Sequence, residues 1–269
     1  MSCSFLHYIL IRFNLVFEEC PNRCINPTWL EDRCRLFEQY GLPSLTQQTN
    51  SNFIAILLCS SKTPPPYKER IESYTKICKQ LRVRYSDAIS NLNAFYQQLG
   101  EELIEQADYL VTTRFDNDDL LGVDFVDYVQ QHICVNKKNM QIIELRNGIQ
   151  YFEKKELTYA IAFPHNHFTT FIEPRGKIKT SLGFSHLEIS SSNVTTLYPT
   201  HPLWCEVVHG GNMCNDYTPY ISYFISTPDT ECLPISLPKG NVRKRVFYLV
   251  FFTLRRVFRF VQRQLHRIK

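Results

Sequence analysis

Apolar runs and helical periodicities take turns along the first half of the chain. Residues 5–11 are almost wholly apolar and predict a strand buried on both faces. Within 27–40, Trp29, Leu30, Arg33, Leu36, Phe37 and Tyr40 recur at three- and four-residue steps, which predicts a helix that Gly41 ends. A polar connection over 42–49 leads to a second buried strand at 53–59. The proline run 64–66 then opens a helix over 67–80. Residues 81–85 alternate as a short strand, and 91–107 form a helix with Leu92, Phe95, Leu99, Leu103 and Ile104 on one face. A strand ending at Arg114-Phe115 and a helix over 124–133 complete the series. Strand and helix in alternation predict an α/β fold with a mainly parallel sheet, helices on its faces and right-handed crossovers.

The pattern changes after residue 139. Segments 140–145 and 149–152, separated by Asn147-Gly148, predict a hairpin, and 159–163 adds a strand. From 164 to 216 the chain is irregular and rich in His, Thr and Ser, as suits either loops that build a pocket or a plain surface. The last stretch, 242–269, is periodic again. On a helical wheel Val246, Leu249, Val250, Leu254, Val257, Phe258, Phe260, Val261, Leu265 and Ile268 share one broad face, and Arg245, Arg255, Arg256, Arg259, Arg263, His266 and Arg267 gather opposite or at its border, with Arg243 and Phe252 as exceptions.

Length and composition refine this picture in three ways. With 269 residues, 44% hydrophobic and 21% charged, the chain suits one large domain, 1–239, and a basic amphipathic helix, 240–269. The net charge of +4 is unevenly spread: nine of the 30 Lys and Arg lie between Arg243 and Lys269, where there is no Asp or Glu. The remainder therefore holds 21 basic against 26 acidic residues and is net acidic. The ten cysteines are dispersed and no secretory leader pattern opens the chain, so free thiols and a cytoplasmic location are expected. The tail's apolar run, Val246 to Leu254, is too short to span a bilayer; the helix suits the surface of an anionic membrane, or packing on the domain or a second subunit. Apolar residues fill half of its wheel, which argues against nucleic acid as its partner.

The candidate chemistry is concentrated at Asp116-Asn117-Asp118-Asp119, where a buried strand meets three carboxylates. Crowded carboxylates repel one another unless a cation joins them, and hard oxygen ligands at a strand end suit Mg²⁺ or Mn²⁺. The alternative is an Asx-rich turn capping the following helix, and Asp119 in particular fits such a cap.

The segments 8–14, Trp29 with Arg33, 40–49 and 112–119 together resemble the "putative rhamnosyltransferase" family of GT-A-type glycosyltransferases, over roughly residues 5 to 215. The resemblance implies a GT-A-like, Rossmann-like fold and a nucleotide-sugar donor, which for rhamnose would be a nucleoside-diphosphate rhamnose. It also implies a Mn²⁺- or Mg²⁺-assisted transfer to a glycan or glycolipid acceptor. On that pattern Asp116 and Asp118 match the metal and diphosphate site, Arg12 and Asn14 the nucleotide-facing end of the first strand, and His209, before Gly210-Gly211, a further metal ligand. Arg114 belongs with the donor-binding set. For the catalytic base Glu173 comes first, then Glu188 and Asp216, and no motif selects among them. His165, His167 and His186 could line the acceptor pocket. Two rivals stay open: a metal-dependent nucleotidyl or phosphoryl transferase, and an inactive membrane-associated scaffold with the same fold.

Overall fold

The computed structural model describes residues 4–16, 23–105, 107–134, 139–176, 178–184, 193–212 and 228–267. The expected alternation is present: β1 (Phe5–Arg12), α1 (Pro27–Leu36), α2 (Leu42–Thr46), β2 (Ile54–Ser60), α3 (Pro65–Ile77), β3 (Leu81–Ser86), α4 (Leu92–Leu103) and β4 (Tyr109–Asp116). A short β5 (Leu120–Leu121) and α5 (Phe125–Gln131) follow. The second half adds β6 (Gln141–Leu145), β7 (Asn147–Phe152), β8 (Leu157–Ala162), β9 (Thr170–Pro174), β10 (Val194–Leu197), β11 (Trp204–Val208) and α6 (Val242–Arg267).

Seven strands form the main sheet in the order β10-β6-β9-β4-β1-β2-β3. Every pair is parallel except the two made by β9, which runs antiparallel to both β4 and β6. The central strands β1, β2 and β4 are almost wholly buried, which is why they read as continuous apolar runs. A second sheet, β5-β11-β7-β8, packs beside the acidic end of β4. The result is α/β with a mainly parallel sheet flanked by helices, as the sequence predicts.

Three local expectations are corrected. Gly41 does not end a helix: α1 continues through a π-helical turn at Phe37–Gly41 into α2, so much of the expected polar connection is helical. Gly41 is needed for space, since a Cβ there would lie 2.5 Å from the Phe37 ring and 2.9 Å from the Asn117 carbonyl oxygen. Segments 140–145 and 149–152 do not make a hairpin either. β6 joins the main sheet and β7 the second, and a Cβ on Gly148 would lie 2.2 Å from the Trp204 ring. Burying that indole against bare backbone outweighs the Asn-Gly turn signal. The third correction is that the region from 164 to 216, expected to be irregular, carries β9, β10 and β11.

Candidate active site

The parallel register sets the site. Arg12 stands opposite Asp116 at the carboxyl ends of β1 and β4, where sheets of this kind bind ligands. Asp116 is held by Arg114 Nη2 at 3.0 Å and faces Arg12 Nη2 at 3.6 Å. Burial pushes its carboxyl up, but the charges of Arg114, His167 and Arg12 outweigh that and hold it well below the usual carboxylate range.

Asp118 and Asp119 turn to different partners. Asp118 Oδ2 accepts from Arg33 Nη1 at 2.6 Å and from His209 Nε2 at 2.9 Å, in a nearly dry setting. Burial raises its pKa, and the His209 hydrogen bond with the Arg33 charge more than reverses the effect. Asp119 is 2% exposed, accepts from the Val207 N–H at 2.8 Å through Oδ1, and meets His167 Nε2 at 2.7 Å through Oδ2. Burial and then repulsion by Asp118 and Asp116 push its carboxyl well above the usual range, while burial lowers the His167 imidazole. Asp119 is therefore not a helix cap; Asp124 occupies the N-cap position of α5.

His209 is reached by the chain as β11 ends in a tight turn. Asn212 Oδ1 accepts from the His209 N–H at 2.9 Å, and Gly210 takes a φ of 88°, open to glycine without strain. Gly211 N–H donates to His209 Nδ1 at 3.3 Å, so Nδ1 is the acceptor and Nε2–H donates to Asp118. Both ring nitrogens are thereby used within the protein. The expected set Asp116, Asp118 and His209 is brought to one place, yet the ligand atoms that converge belong to Asp116, Asp119 and His167, all within 4.8 Å of one another. Two carboxylates and an imidazole fit a divalent cation such as Mn²⁺ or Mg²⁺, and like-charge crowding at Asp119 is what a cation would relieve.

Around Arg33 lies a group of unpaired donors. Its guanidinium rests 5.1 Å from the Trp29 ring centre, and its Nη1 is 3.4 Å from Asn117 Oδ1. Trp29 Nε1, Arg33 Nε and Asn117 Nδ2 are buried and find no acceptor among the described residues. Buried polar groups are rarely left unpaired, so this cluster is suited to an anionic, acceptor-rich ligand.

The remaining predicted residues separate. Asn14 sits behind the sheet end, where Nδ2 donates to Thr63 Oγ1 at 2.9 Å and to the Cys24 carbonyl at 3.1 Å, and Oδ1 accepts from the Ser60 N–H. It ties the loops after β1 and β2 together. Glu173 is placed opposite Leu110, near the start of β4, six residues or roughly 20 Å along the strand from Asp116. There its carboxylate accepts from the Lys179 and Thr180 N–H groups at 2.9 and 3.0 Å, away from the acidic tip. Glu188, Asp216 and His186 lie outside the described residues. His165 donates its N–H to Glu144, and every described cysteine is a free thiol.

Arg33 and His167 are the neighbours of the acidic tip that periodicity alone undervalues. Arg33 reads as part of a helical stripe, and His167 as one more polar residue in a loop; no local signal marks their convergence on the acids. Glu206 also belongs here, buried on β11 and bonded to Gln150 Nε2 at 2.6 Å, with burial raising its pKa.

With this geometry in view, the family model described as "Putative rhamnosyl transferase" matches residues 14–220. The chain belongs to this family. No curated protein sequence matches it. Among solved structures it is similar to TarS of S. aureus, at 8% identity and a TM-score of 0.42, covering 76% of this chain and 37% of that one. The fragment TarS 1–349 in complex with UDP follows at 9% identity and a TM-score of 0.39, covering 76% and 60%. The mannosyltransferase PcManGT from Pyrobaculum calidifontis, in complex with GDP-Man and Mn²⁺, is 8% identical with a TM-score of 0.42, covering 76% and 57%. The chain thus spans between 37% and 60% of the length of these three.

Proposed function

We propose that this chain transfers rhamnose or a related hexose from a nucleoside-diphosphate sugar to a hydroxyl of a glycan or glycolipid, with a bound Mn²⁺ or Mg²⁺. One observation carries the reading: the ligand atoms of Asp116, Asp119 and His167 converge within 4.8 Å at the carboxyl end of β4. Beside them stand the unpaired donors of Trp29, Arg33 and Asn117.

In this reading Asp116, Asp119 and His167 would hold the cation, which would offset charge on the leaving diphosphate. Asp118 is positioned at its border by Arg33 and His209. Arg12, Arg114 and Arg33 face the donor's phosphates, and Arg33 with Trp29 offers a flat cationic surface to the nucleotide. Transfer forms a bond from the acceptor oxygen to the sugar's anomeric carbon and breaks that carbon's bond to the diphosphate. The hydroxyl proton passes to a carboxylate. In this reading Glu188 and Asp216 are the candidates for that base, ahead of Glu173, which pairs with Leu110 near the far end of β4. A glycolipid acceptor would bring the enzyme to the cytoplasmic face of a membrane.

A panel of nucleotide-sugars, screened first for thermal stabilisation and then for release of free nucleoside diphosphate with Mn²⁺, tests the proposal. Metal-dependent release that is lost in Asp116→Asn supports it. Turnover of nucleoside triphosphates instead, or no metal-dependent binding of any nucleotide-sugar, refutes it.

A further inference from the structure

The last helix has the opposite orientation to that of an ordinary amphipathic helix on a domain. Its first two turns are seated by polar and aromatic contacts. Arg245 is buried with its guanidinium 5.3 Å from the Tyr159 ring centre, Tyr159 Oη donates to the Arg245 carbonyl at 3.1 Å, and Lys155 Nζ lies 4.4 Å from the Tyr248 ring centre. Tyr248 and Leu249 complete the seat. At 100° per residue these anchors occupy one side of the wheel, whereas Val246, Val250, Leu254, Val257, Phe258 and Val261 fill an arc on the other. The arc faces away from the domain. Leu254 is 65% exposed, Phe258 63% and Val257 55%. With Phe247 and Phe251 at its border, the stripe exposes on the order of 800 Å² of apolar side chain, more than the largest patch on a typical soluble monomer.

We infer that α6 is an interfacial helix that lays this stripe into an anionic lipid leaflet while its seat holds the domain at the membrane surface. Charge selects the occupant. Nine Lys and Arg and no Asp or Glu lie between Arg243 and Lys269, a concentration of positive charge that an anionic surface attracts and a second, equally basic copy does not. Among the described residues outside α6, the exposed large apolar side chains, Ile77, Leu92 and Tyr198, are scattered over separate elements and make no counterpart to the stripe. An anionic leaflet supplies both needs: hydrocarbon for the stripe and a negative surface potential that attracts the helix's net positive charge. Among the described residues no helix is long and apolar enough to cross a membrane, which leaves docking in the plane of the interface. This surface is independent of the donor chemistry proposed above.

Flotation of the full chain with vesicles of phosphatidylcholine alone, and of phosphatidylcholine with one third phosphatidylglycerol, tests the inference. The chain is expected to bind the anionic vesicles at least ten-fold better, and 0.5 M NaCl is expected to weaken that binding. The double variant Leu254→Asp/Phe258→Asp is expected to lose it at least ten-fold, with far-UV circular dichroism and melting temperature of the domain unchanged. Arg255→Gln/Arg256→Gln/Arg259→Gln keeps the stripe and is expected to lose the preference for anionic lipid. Failure to float with anionic vesicles, or equal flotation of wild type and the double variant, overturns the inference. So does a stable dimer in sedimentation that the double variant dissociates, since the stripe would then belong to a second copy.

Discussion

Asp118 and Asp119 are neighbours in sequence with the same side chain, and their surroundings predict opposite consequences of the same Asp→Asn change. At Asp119 the substitution removes a charge that burial and two nearby carboxylates already disfavour, and Asn Oδ1 can still accept from the Val207 N–H. Fold stability is expected to hold or to rise by about 1 kcal/mol, because the folded state no longer has to keep a carboxyl protonated there. At Asp118 the same change leaves the Arg33 guanidinium buried without the carboxylate 2.6 Å away. Breaking a buried pair on one side costs about 3–5 kcal/mol, which lowers the melting temperature of a chain this size by roughly 10 °C. Metal affinity is expected to order the other way. Asp119→Asn loses a ligand and weakens Mn²⁺ binding at least ~100-fold, or ~2.7 kcal/mol, whereas Asp118→Asn acts from the second layer, by ~10-fold. Scanning fluorimetry and a calorimetric Mn²⁺ titration in the presence of nucleoside diphosphate read both quantities. If Asp119→Asn binds Mn²⁺ like wild type while Asp118→Asn and His209→Ala do not, the convergence of Asp116, Asp119 and His167 is not the metal site, and the set expected from sequence is restored.

Three further outcomes are expected. Burial raises the Glu173 carboxyl from 4.5 to about 7, so the folded state favours its protonated form. That contribution is complete below pH 4.5 and is lost as pH rises through 7, amounting to about 3 kcal/mol. Urea unfolding of wild type and Glu173→Gln across that window should show wild type losing this much relative to the variant; parallel curves refute it. Gly41→Ala forces a methyl group against the Phe37 ring and the Asn117 carbonyl, so a loss of roughly 1–3 kcal/mol is expected, with weaker donor binding because Asn117 adjoins Asp116 and Asp118. A melting temperature unchanged from wild type would show that the helix shifts without cost. Glu144 is buried and accepts from the His165 N–H, Arg146 Nη2 and Thr196 Oγ1, which pins the loop that delivers His167. Glu144→Ala is expected to cost roughly 3 kcal/mol and to weaken Mn²⁺ binding; unaltered metal affinity separates the loop's stability from its role at the site.

Much of this was legible from local chemistry. The strands β1, β2 and β4 announce themselves because burial on both faces of a parallel sheet demands uninterrupted apolar runs. The acidic tip is equally plain, since carboxylates crowd there at a strand's end. Local rules failed where a distant partner outweighed them. Gly41 and Gly148 carry strong turn signals, yet one lies inside a continuing helix against Asn117 and the other under the Trp204 ring, because close packing there is worth more than a turn.

The residue pattern by itself thus determined the class of fold, the acidic tip at the end of β4, and the amphipathic character of the last helix. Only the tertiary structure decided which carboxylate meets which cation, because β11 and the loop before β9 approach the tip from far along the chain. Val207 and His167 draw Asp119 one way, and Arg33 and His209 draw Asp118 the other. It also decided which way α6 faces: periodicity separates an apolar from a basic face, but only the seat of Arg245 on Tyr159 turns the apolar one outward.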